Sequence, residues 1–209
     1  MRQKPELHLI TSGKQPLEEV LRIAELAYAG GMDYLHIREK QRTARECMDW
    51  AISLSEVMPL DRLLINDRAD VAAAVGCRGA HLAYHSLSVQ EARRVVRDHQ
   101  WLGRSVHSFD EAAAAEAEGA DYLIYGHVYT SASKPGLEPR GIEELKQITA
   151  ALRTPVIGIG GVTPENAVEL LKAGCTGVAV LSGITAADDV RQKTYAYRQA
   201  LDLWKEIRK

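Results

Sequence analysis

Along this chain, short apolar runs alternate with longer segments whose apolar residues recur every three or four positions. The runs are LHLIT (7–11), DYLHIRE (33–39), RLLIND (62–67), GAHLAY (79–84), LGRSVH (102–107), DYLIYG (121–126), PVIGIGG (155–161) and GVAVLSG (177–183). Each predicts a strand. The segments between them predict helices. In PLEEVLRIAELAYAG, Leu17, Val20, Leu21, Ala24 and Ala27 fall on one face. TARECMDWAISLSEVM, RADVAAAVG, SVQEARRVVRDH, SFDEAAAAEAEG, GIEELKQITAALR, TPENAVELLKAG and a charged C-terminal segment complete the set. Two carry start signals: Ser108 stands three residues before Glu111, and Thr163 precedes Pro164.

Eight strands and eight helices in alternation predict a single (β/α)8 TIM barrel spanning residues 1–209. A second pattern supports closure. GGMDYLHI, GCRGAHLA, GADYLIYG and GCTGVAVL begin at residues 30, 76, 119 and 174, each a glycine-marked helix exit into an even-numbered strand. An open doubly wound sheet is the competitor, but no G-x-G-x-x-G turn follows the first strand.

Composition narrows the partners. With 26 basic and 28 acidic residues the net charge is −2, which gives no support for a nucleic-acid partner. No apolar stretch is long enough for a membrane span, and the four-residue apolar patch near the N-terminus is too short for a secretion signal. Cytoplasm is therefore the expectation. Cys47, Cys77 and Cys175 lack any CxxC spacing, so neither a disulfide framework nor a zinc site is expected. Small barrels often pair, which leaves a homo-oligomer open.

Function in such a barrel belongs at the C-terminal ends of the strands. Read in order, those ends carry Thr11, Arg38 with Lys40, Asn66 with Asp67, Tyr84 with His85, Ser105 with His107, His127, Gly160 with Gly161, and Ser182 with Gly183. PVIGIGGVTPEN is the most specific stretch: a strand ends in two glycines and turns into a helix capped by Thr163. Glycines let backbone N–H groups approach an anion, and a helix start adds a favourable dipole. Gly161, with Ser182 and Gly183 after the last strand, is therefore the expected phosphate site. Arg38 and Lys40, two apart, are expected on one face of the second strand, aimed at a carboxylate or phosphate. Asp67 alone is a poor cage for a hard cation.

HIREK, LLINDRADVAAAVGCRGAHL, GRSVHS, GADYLIYGHV, a Ser-x-Ser-Lys and PVIGIGGVTPENAVELLKAGCTGVAVLSGI together resemble the thiamine-phosphate synthase superfamily over nearly the whole chain. The resemblance implies a small TIM barrel that handles thiazole and pyrimidine phosphates in thiamine biosynthesis. It leaves two branches, the synthase and the TenI-type thiazole tautomerase, and the departures from the synthase pattern point to the second. His36 stands where the synthase has glutamine. Ser86 stands where it has an aspartate that joins the Asp67 position in holding magnesium. Gly126-His127 replaces Gly-Pro, and Ser131-x-Ser133-Lys134 replaces Thr-x-Thr-Lys.

The expected activity is accordingly an isomerase, a metal-free and cofactor-free proton shift that aromatises a carboxythiazole phosphate. His127 is the expected acid/base, since an ordinary histidine titrates near pH ~6.5. Gly161, Ser182 and Gly183 would bind phosphate, Arg38 and Lys40 the carboxylate, and Lys134 would close over the ligand. His107 is the rival acid/base. His8 and His81 are expected to be packed or bonded to backbone, His36 to line the mouth, and His99 to end a helix. A magnesium-dependent thiamine-phosphate synthase is the alternative, and a non-catalytic regulatory barrel that binds a thiamine intermediate is the third reading.

Overall fold

Every strand of the sheet is parallel to both of its neighbours. In the computed structural model, which describes residues 4–131 and 136–207, the order is β1-β2-β3-β4-β5-β6-β7-β8, with β8 returning to pair with β1. The strands are β1 (Glu6–Ile10), β2 (Tyr34–Ile37), β3 (Leu63–Asn66), β4 (Gly79–Leu82), β5 (Trp101–Val106), β6 (Tyr122–Gly126), β7 (Val156–Ile159) and β8 (Gly177–Val180). The connecting helices are α1 (Leu17–Ala29), α2 (Ala44–Leu54), α3 (Ala69–Val75), α4 (Val89–Arg93), α5 (Phe109–Ala117), α6 (Glu143–Ala151) and α7 (Ala167–Lys172). After β8 come a short α8 (Ser182–Thr185) and the long α9 (Val190–Ile207). This is a (β/α)8 barrel.

The period-two alternation of the strands sorts their side chains into two cores. Outward-facing Leu7, Leu9, Leu35, Ile37, Leu63 and Ile65 pack under the helices. Ile10, Tyr34, Leu64, Tyr122, Ile124, Ile157 and Ala179 form a separate cluster that fills the barrel interior. Gly103 belongs to that interior because the Tyr122 ring lies over it: a Cβ there would come within 2.1 Å of the ring. At the N-terminal end of the strands the Arg78 guanidinium lies 4.1 Å over the Trp101 ring and 5.8 Å from that of Tyr34. That end is filled, so the opposite end is the mouth.

Several local expectations need correction. β2 stops at Ile37 instead of continuing to Glu39, because the Thr11 hydroxyl accepts from the Arg38 N–H (2.8 Å) and bends the chain away. Strand 8 ends at Val180, and Ser182-Gly183 opens α8, a turn too short to show a helical period. Helix α4 ends at Arg93, so His99 lies in a following turn and not at a helix end. Thr163 does close the turn after β7: its N–H donates to Asn166 Oδ1 (2.8 Å), but α7 begins only at Ala167.

Candidate active site

The mouth has two built corners. The first lies beyond β7 and β8. Gly160 and Gly161 have φ of +99° and +64°, in the left-handed region open to glycine. A Cβ on Gly160 would meet the His127 Cβ at 2.2 Å, and one on Gly161 would meet the Thr130 carbonyl at 2.3 Å. The β6 loop is laid along this corner by backbone bonds, from Val128 N–H to Ile159 O (2.8 Å) and Tyr129 N–H to Gly160 O (3.0 Å). The Asn166 amide donates to Gly161 O (3.0 Å) and holds the turn. Ser182 and Gly183 start α8 alongside, where the first N–H groups of a helix have no acceptor within it.

Tyr197, on the buried face of α9, ties the two halves of this corner together. Its hydroxyl donates to Val162 O (2.8 Å), and it lies 2.5 Å from where a Gly183 Cβ would be. Burial pushes this phenol up to about 12, so it stays a donor. Sequence reading passed it over. Its signal is a tyrosine on the apolar stripe of the last helix, and nothing local tells such a residue from ordinary core.

The second corner lies between β3 and β4 and is made of side chains. Asp67 has φ +69°. Its Oδ1 accepts from the Ser86 hydroxyl, which in turn accepts from the Ala83 N–H (2.7 Å), and its Oδ2 lies 3.4 Å from His85 Nε2. The magnesium that the resemblance implies would have to sit here. One carboxylate with both oxygens already engaged does not fit a hard cation that needs several free oxygens. Among the described residues no group of three His, Cys, Asp or Glu is arranged to hold a metal ion.

His127 is buried at the end of β6, after a cis peptide from Gly126. Its Nε2 lies 3.3 Å from the Leu137 carbonyl, and its Nδ1 is buried without a hydrogen-bond partner among the described residues. A carbonyl can only accept, so Nε2 carries a proton, and in the neutral ring Nδ1 is then a lone pair. His107 lies one strand away, with Nδ1 3.2 Å from Glu111 Oε2. Arg140 bridges the two loops: its N–H donates to His127 O (3.0 Å) and its guanidinium to His107 O (2.6 Å).

Arg38, half-buried beyond β2, has a guanidinium with no hydrogen bond or ion pair among the described residues. Glu39 is instead taken by Thr11 (2.7 Å) and Arg42 (3.5 Å). Lys40 is exposed, past the end of the strand, so the shared strand face expected for Arg38 and Lys40 is absent. Lys134 lies outside the described residues. His36 and His81, both fully buried, form the floor. Burial pushes the pKa of His36 well down, aided by His8 and His81, and burial brings His81 down to about 3. His8 and His81 bond to side chains, not to backbone.

Comparisons with known proteins bear on the chemistry. Residues 7–184 match the family model described as thiamine monophosphate synthase. The chain is 36% identical to the thiamine-phosphate synthase of Natronomonas pharaonis over 97% of both chains. It is 40% identical to that of Haloquadratum walsbyi, over 86% of this chain and 83% of the other. The solved thiamine phosphate pyrophosphorylase from Pyrococcus furiosus superposes with a TM-score of 0.84 at 32% identity, covering 97% of this chain and 98% of that one.

These relatives overturn the expectation of a TenI-type tautomerase. Relatives at this identity over most of the chain bear the name of a transferase, not an isomerase. The departures at Ser86 and His127 are single positions, and they do not outweigh likeness across most of the chain. The chain belongs to the thiamine monophosphate synthase family.

Proposed function

We propose that this protein is a transferase of the thiamine-phosphate synthase type, joining a pyrimidine pyrophosphate to a thiazole phosphate. The observation that carries the reading is similarity over most of the chain to proteins of that name, at 36% and 40% identity. The geometry is compatible with it. A backbone-built corner at Gly160, Gly161, Ser182 and Gly183 suits a monophosphate, and the Arg38 guanidinium, without a partner among the described residues, suits a second anion across the mouth.

In the proposed step the thiazole nitrogen forms a bond to the exocyclic carbon of the pyrimidine. The carbon–oxygen bond to pyrophosphate breaks, and the bonding pair leaves with it. Anchoring the thiazole by its phosphate sets the attacking nitrogen in place, which lowers the entropic part of the barrier. Arg38, with Lys40 from the rim, would neutralise charge gathering on the leaving group. His127 Nδ1 would accept a hydrogen bond from a bound ring, and Lys134 would come from the loop after β6.

A second reading, a barrel that binds a thiamine intermediate without turnover, is favoured by the Asp67 corner, where the Ser86 hydroxyl takes an oxygen that a cation would need. Incubating the purified protein with both substrates, with and without magnesium, and assaying thiamine phosphate separates the two. Product that is lost in Arg38→Ala supports the transferase. Calorimetric binding of thiazole phosphate without product supports the binding barrel. Neither binding nor product sinks both.

A further inference from the structure

Polar groups inside a barrel core are costly unless paired. This barrel holds a hydrogen-bonded chain of three. Glu6 Oε2 lies 3.2 Å from His8 Nε2, and His8 Nδ1 lies 2.9 Å from His36 Nε2. The chain runs from the first residue of β1, at the filled end, towards the mouth, and stops two residues short of Arg38. Its last atom, His36 Nδ1, is buried and has no hydrogen-bond partner among the described residues. The neighbouring imidazole cannot serve it, because His81 spends its nitrogens on Tyr122 OH (3.2 Å) and Ser105 Oγ (2.8 Å).

We propose that Glu6 and His8 are positioning residues that set the tautomer of His36, holding its Nδ1 as a bare acceptor for an N–H or O–H donor of a ligand in the mouth. Hydrogen-bond parity along the three side chains decides where each proton lies. A carboxylate only accepts, so the His8 proton is on Nε2. A neutral His8 then accepts at Nδ1, and the proton between the two rings belongs to His36 Nε2. His36 Nδ1 is left with a lone pair. A second proton on His8 would leave its bond to Glu6 as it is, but would reverse the bond to His36 and turn His36 Nδ1 into a donor, and it would also place a cation in the barrel core. Burial keeps His36 itself neutral. A histidine serving packing alone would gain nothing from a chain whose far end is unsatisfied.

The ligand half of the proposal rests on the mouth being the binding site of the proposed transferase; the tautomer half does not. The test uses the full chain labelled with 15N at histidine, two-bond imidazole spectra, and thiamine phosphate as the probe, with His36 assigned by its loss in His36→Gln. His36 is expected to be protonated at Nε2, and saturating thiamine phosphate is expected to shift the Nδ1 resonance while Nε2 stays put. In Glu6→Gln the amide can donate or accept, so the His36 tautomers should mix and thiamine phosphate should bind roughly tenfold more weakly. The amide spectrum of this variant should remain that of the folded protein. A wild-type His36 protonated at Nδ1, or a Glu6→Gln variant with an unchanged tautomer, overturns the role of Glu6 and His8. Binding of thiamine phosphate without movement of the Nδ1 resonance overturns the acceptor role. Failure of thiamine phosphate to bind removes the transferase reading and the acceptor role with it, while the spectra of the free protein still decide whether Glu6 and His8 set the tautomer.

Discussion

The two corners of the mouth are built from different materials. Beyond β7 and β8 the surface is backbone: two left-handed glycines, a turn closed by Asn166, and the first residues of α8. Between β3 and β4 it is side chain: Asp67, held by Ser86 and flanked by His85. A backbone corner offers N–H groups to any phosphate and tolerates no added side chain. A side-chain corner can be rewritten by one substitution. Whatever separates this chain from relatives that share its barrel is therefore expected at the second corner, while the first keeps the common phosphate.

The sharpest way to break that contrast is to add one methyl group to the backbone corner. Gly161→Ala would force a Cβ to 2.3 Å from the Thr130 carbonyl at a φ of +64°. Displacing the phosphate by even ~1 Å costs on the order of 100-fold in turnover, so kcat/KM for thiamine phosphate formation should fall at least that far. Next in size is Arg38→Ala, which removes a charge-assisted contact and should lower kcat/KM roughly 10- to 100-fold.

The floor beneath both corners predicts a pH dependence of folding. His36 and His81 have folded-state pKa values below the unfolded value, with His81 at about 3. Below pH ~6.5 the unfolded chain binds protons that the folded chain refuses, so stability is full above that pH and declines as pH falls towards 3. Each buried histidine contributes a slope of up to about 1.4 kcal/mol per pH unit. Urea midpoints at pH 7, 5.5 and 4.5 should fall steadily, and less steeply in His36→Gln.

The smallest effect belongs to the side-chain corner. Ser86→Ala removes a hydroxyl that donates to Asp67 and accepts from Ala83, and should cost about 1 kcal/mol in thermal stability. Ser86→Asp makes the complementary change. It should raise affinity for Mn²⁺, read by paramagnetic broadening, above that of the natural protein.

Most of the barrel could be read from the chain because a parallel strand covered by helices writes itself as a short apolar run between amphipathic segments. The glycine-marked entries to β2, β4, β6 and β8 gave the order, and PVIGIGG gave the backbone corner. Two kinds of feature were illegible. α8 is a single turn, too short for any period, so Ser182 and Gly183 were read as strand and loop. The interior chain of Glu6, His8 and His36 depends on which strands stand side by side, as the alignment of Ile10 with His36 does, and no local window holds that information. Tyr197 was missed for the same reason, since its partner Val162 lies in another unit of the barrel.

The central claim is that this mouth joins two phosphorylated heterocycles, with the thiazole phosphate seated on the backbone corner. It is tested most directly by supplying the purified protein with pyrimidine pyrophosphate and thiazole phosphate and measuring thiamine phosphate and pyrophosphate together. Both should appear in equal amounts, and Gly161→Ala should lower both at least ~100-fold. Absence of thiamine phosphate from the natural protein, with thiazole phosphate shown to be bound, would contradict it.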